Sequence, residues 1–112
     1  MIHRAFAAAR LDEWQEFIAD CDKFEQEVAR EIAKRKFTFG ELEEEEQSLD
    51  RLRRWYRDLK KRDVLGLPEA QIAEWRLQDG VEALNGFAAL VYQAMGANAP
   101  ELDPPFLDET HA

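Results

Sequence analysis

The residues of this 112-residue chain that could do chemistry are two histidines, one cysteine, an acidic block from Glu41 to Asp50 and a basic block from Arg51 to Arg62. His3 and His111 stand at opposite ends. A carboxylate-bridged metal pair in a helical bundle needs two Glu-x-x-His pairs facing inward, and the chain has none. Asp108 and His111 have the right separation, but they offer two donors in a segment with no apolar periodicity to hold them. We therefore expect no metal and no cofactor. Cys21 shares a three- and four-residue stripe with Trp14, Phe17, Phe24 and Val28, so it reads as a buried, inert thiol rather than a redox sensor.

Glu43, Glu44, Glu45 and Glu46 are consecutive, and on a helix they point around the axis instead of converging on a cation. A solvated first turn favoured by the helix dipole is the expectation. The stretch from Arg51 to Arg62 holds seven of the chain's 15 basic residues together with Trp55 and Tyr56. Arg51, Arg53, Arg54 and Arg57 could form a salt-bridged solvent face, dock a partner domain, or contact an oxyanion or nucleic acid directly. A formal net charge of −9 opposes nucleic-acid binding through the surface as a whole. No nucleophile elbow, glycine-rich phosphate loop or paired-thiol motif is present, and we do not expect an enzyme.

Three helices have to position these groups. Hydrophobic residues at 46% and charged residues at 35% suit one folded domain rather than a disordered chain. From Ile2 to Lys36 there is neither proline nor glycine, and Trp14, Phe17, Cys21, Phe24, Val28 and Ile32 mark one face, so the first helix is expected over 2–36. Thr38 and Glu41 have capping-box spacing, with Phe37 and Leu42 at the staple positions around them. The second helix, over 39–62, carries Leu42, Leu49, Leu52, Tyr56 and Leu59 in a near-heptad seam. Its acidic start and basic end both suit the dipole, and Asp50–Arg54 and Asp58–Arg62 have favourable i,i+4 order.

Gly66 and Pro68 turn the chain into a third helix over 68–95, striped by Ala73, Leu77, Gly80, Leu84, Phe87, Val91 and Met95. Gly80 suggests close helix approach. The fold class is thus all-α, an antiparallel three-helix bundle over 1–96, followed by an acidic, proline-containing tail over 97–112 that is expected to be flexible. The first helix is the longest and should overhang, leaving Ile2 and Phe6 as a candidate interface for a second copy or a companion domain. The single cysteine fits a reducing compartment, no apolar run nears the ~20 residues of a membrane span, and the cytoplasm is the expected location.

Three blocks carry a resemblance. Lys36 to Glu44, Leu49 to Trp55 and Arg62 to Pro68 resemble, in order and spacing, the N-terminal region of ChrB-type chromate-resistance proteins. Phe6, Arg10, Glu13 and Trp14 fit the helix that precedes them, and the likeness spans roughly residues 2–96. The resemblance implies the helical part of a transcriptional regulator of a chromate-efflux operon. In that family an α/β segment precedes these helices, and the chromate-sensing residues lie in a further C-terminal domain. It therefore places no chromate response and no site residue in this chain, and it leaves any DNA contact to other domains.

Overall fold

The computed structural model describes residues 2–96, with side chains from Ala8 onward. Helices α1 (Ile2–Ala33), α2 (Phe39–Arg62) and α3 (Pro68–Ala94) follow one another in an up-down-up order, and each packs against the other two. The described residues thus form the expected all-α bundle. The tail over 97–112 and the Ile2 and Phe6 side chains lie outside them.

The core follows the stripes. Trp14, Phe17, Cys21, Phe24 and Val28 of α1 are buried against Leu42, Leu49, Leu52, Tyr56 and Leu59 of α2 and Ala73, Leu77, Val81, Leu84, Phe87 and Val91 of α3. Aromatic rings gather at both ends. Phe17 meets Trp55 edge-on at 5.2 Å and Tyr56 at 5.9 Å, while Phe37 lies 6.2 Å from Phe87 and Phe39 lies 5.0 Å from Tyr92. Between these ends Gly80 faces the core, where an added Cβ would meet the Phe24 ring at 3.4 Å and Leu49 at 3.8 Å, ordinary van der Waals distances. A methyl group would fit there, so the expected close helix approach does not by itself require this glycine. Met95, expected on the stripe, is instead 48% exposed, because it caps α3 after the last core turn.

Two helix ends behave as read and one does not. Thr38 caps α2, its hydroxyl accepting from the Glu41 amide at 3.2 Å, and α3 opens on Pro68 after a turn through Gly66 at φ 64°. Helix α1, expected to reach Lys36, stops at Ala33. Arg35 takes a left-handed φ of 57°; its amide donates to the Ile32 carbonyl and the Lys36 amide to the Glu31 carbonyl. That is the Schellman stop with arginine where glycine is usual, which is why neither proline nor glycine signalled it.

Candidate functional site

The arginines of α2 do not form one surface. At ~100° per residue, Arg51 and Arg53 point about 160° apart, one on each flank of the buried seam, while Arg54 and Arg57 project from the outer side. The Arg53 side chain is only 12% exposed and reaches Asp50 at 3.8 Å; Arg51 donates to Ser48 Oγ at 3.1 Å. Asp58 engages Arg62 at 3.1 Å as expected, and Arg62 also reaches across to Glu13 of α1 at 2.9 Å. Arg76 of α3 ties to Asp22 of α1, close to Cys21. The Cys21 thiol is buried, and burial, then the neighbouring Asp22, pushes it up to about 12, with Arg76 acting in the opposite sense. The expected burial of this cysteine is thus seen.

The acidic run departs from the expectation. Glu43, Glu44 and Glu46 are exposed, but Glu45 is 3% exposed, the buried charged residue of the described core. The seam explains its position. Leu42, Leu49, Leu52, Tyr56 and Leu59 alternate in steps of three and four except between Leu42 and Leu49, and the skipped position is 45. A glutamate there must enter the interface whatever its charge. The missing step was visible in the sequence, but reading four consecutive glutamates as a charge run hid it.

Glu45 faces a cavity of about 420 Å³ between α1 and α2, lined also by Glu27, Glu31, Glu41, Glu44 and Arg51. Its Oε1 is buried without a hydrogen-bond partner. Burial first, then hydrogen bonding with Glu27 and the charges of Glu27, Glu31 and Glu41, push its carboxyl up to about 8. Glu41 is raised as well, first through its hydrogen bond with Glu31, with Lys36 working against the rise. A second cavity of about 410 Å³ adjoins the first, sharing Glu27, Ser48 and Arg51 and adding Asp20, Lys23 and the apolar surfaces of Phe24, Leu52 and Trp55. Among the described residues no group of three or more His, Cys, Asp or Glu side chains could hold a metal ion.

A different face carries exposed apolar groups. Trp75 is 60% and Ile72 41% exposed, three residues apart on the outer side of α3. At the start of α1, Arg10 pairs with Glu13, and from Ala8 onward Trp14 is the first buried residue. Because Arg62, the last residue of α2, reaches Glu13, and Arg76 reaches Asp22, both neighbouring helices run out near residue 13 of α1. The expected overhang of α1 is therefore present in its backbone. No helix of the described residues is long and apolar enough to cross a membrane.

No curated protein and no solved structure matches the chain. Residues 1–98 match the family model described as Protein ChrB, N-terminal. The match covers all three helices together with the Thr38 cap and the Gly66–Pro68 turn, so the chain belongs to the ChrB N-terminal family and is related to chromate-resistance regulators.

Proposed function

We propose that this chain is a non-catalytic docking module of a chromate-resistance regulator, and that it works by self-association through the outer face of α3. The observation that carries this reading is Trp75, a large aromatic left 60% exposed beside Ile72 on a helix whose opposite face is fully packed. Tryptophan is the residue type most enriched among the anchors of protein interfaces, and an apolar patch of this kind on a small domain needs a reason. Sedimentation velocity over a micromolar concentration range is expected to show a monomer–dimer equilibrium that Trp75→Glu shifts to monomer, with the helical circular dichroism unchanged. A strict monomer at the highest concentration, for the original chain and the variant alike, would remove self-association.

The alternative, direct oxyanion or nucleic-acid contact through α2, has less geometric support. Such a site requires convergent donors, and Arg51, Arg53, Arg54 and Arg57 diverge around the helix. It predicts salt-dependent binding, and a titration with chromate, sulfate and short duplex DNA at low ionic strength without any response would dispose of it.

A further inference from the structure

The helical seam places a carboxyl group where an apolar side chain belongs, and among the described residues no cation pairs with it. Glu45 is buried, its Oε1 accepts no hydrogen bond, and Glu27 and Glu31 from α1 and Glu41 and Glu44 from α2 surround the same cavity. Arg51 lines this cavity but sends its Nη2 to Ser48, Lys36 bears on Glu41, and α3 contributes no lining residue. Buried beside Glu27, this group is held as the neutral acid near neutral pH, and it becomes a carboxylate there only when a cation and its donors reach it. We propose that the α1–α2 groove is a binding site for a polypeptide segment that presents an arginine or lysine side chain to Glu45 and an adjacent apolar side chain to Phe24, Leu52 and Trp55.

The shape of the groove favours this occupant over simpler ones. A divalent ion needs three or more converging ligands, which the described residues do not provide. A small free cation would fill the acidic cavity but leave the apolar surfaces of Phe24, Leu52 and Trp55 uncovered in the one of about 410 Å³ beside it. A segment that alternates basic and apolar residues fills both, and a guanidinium presents the fork of donors that paired carboxylates accept. The site lies on α1 and α2, away from Trp75 on α3, so it goes beyond the docking reading given above and either can fail alone.

The test uses the full chain, labelled with ¹⁵N, and a capped hexapeptide of alternating leucine and arginine. Saturable shifts are expected at the amides of Glu27, Glu45 and Ser48 and at the Trp55 indole. Affinity should fall roughly tenfold or more in Glu45→Gln, a variant that removes a buried ionisable group and so should fold at least as well. Trp75→Glu should leave it unchanged. Because the Glu45 carboxyl is pushed up to about 8, binding at pH 7 should also release protons, readable by calorimetry in buffers of different ionisation enthalpy. Four results would each overturn the proposal: equal binding of the same peptide with neutral citrulline for arginine, unchanged affinity in Glu45→Gln, equal binding of arginine amide alone, or displacement of the peptide by Mn²⁺.

Discussion

Glu45 shows what one substitution in a repeating pattern does to a bundle. Burial, then its neighbour Glu27, pushes its carboxyl up to about 8, from an ordinary value of 4.5. With the folded pKa raised above the unfolded one, the folded state carries no penalty below about pH 4.5 and loses stability as the pH rises toward 8. Urea unfolding should therefore show Glu45→Gln to be more stable than the original chain at pH 8, by on the order of 1–3 kcal/mol, with a smaller gap at pH 5. Equal stability at both pH values would mean that water or a neighbouring donor already satisfies the carboxylate. The same scale holds the clearest test of a redox or nucleophilic role. Cys21, buried and raised to about 12, should resist an aromatic disulfide reagent at pH 8 until urea unfolds the chain, whereupon one equivalent reacts.

At the scale of the helix, legibility depended on whether the deciding signal was local. Helix α2 was readable at both ends, because Thr38 caps it through the Glu41 amide and Asp63 follows a basic last turn. The end of α1 was not, since Arg35 holds the left-handed position that glycine would announce. Arg35→Gly should thus stabilise the chain by about 0.5–1 kcal/mol in denaturant unfolding, as the strain of a side chain at positive φ is relieved. The two glycines inside α3 separate packing from propensity. Gly86→Ala meets nothing within 4 Å and should raise stability by about 0.5–1 kcal/mol. Gly80→Leu forces a side chain into the Phe24 ring and should cost at least about 2 kcal/mol, visible as a lower Tm. The missing step at position 45 belongs here too: the register of Leu42 and Leu49 held that information, and composition masked it.

For the molecule as a whole, the three helices, their order and most of the core could be read from Trp14, Phe17, Cys21, Phe24 and Val28 and the matching stripes of α2 and α3. Periodicity records which face of a helix is buried. It does not record which flank of a seam an arginine leaves by, and the divergence of Arg51 and Arg53 became visible only once the helices were packed. Nor does a chain's own pattern say what lies against Trp75 or in the α1–α2 groove, because half of each contact belongs to another molecule. The extension of the α1 backbone past the ends of α2 and α3 has a further consequence, in time rather than in space. A helix end that projects past the adjoining helices opens more readily than the packed turns behind it, so amide hydrogens ahead of Trp14 should exchange with solvent within seconds to minutes. Those from Phe17 to Val28 should persist until the whole bundle opens. Any molecule that grips this end must first hold it still, and its arrival would be recorded as a slowing of exchange over those few amides.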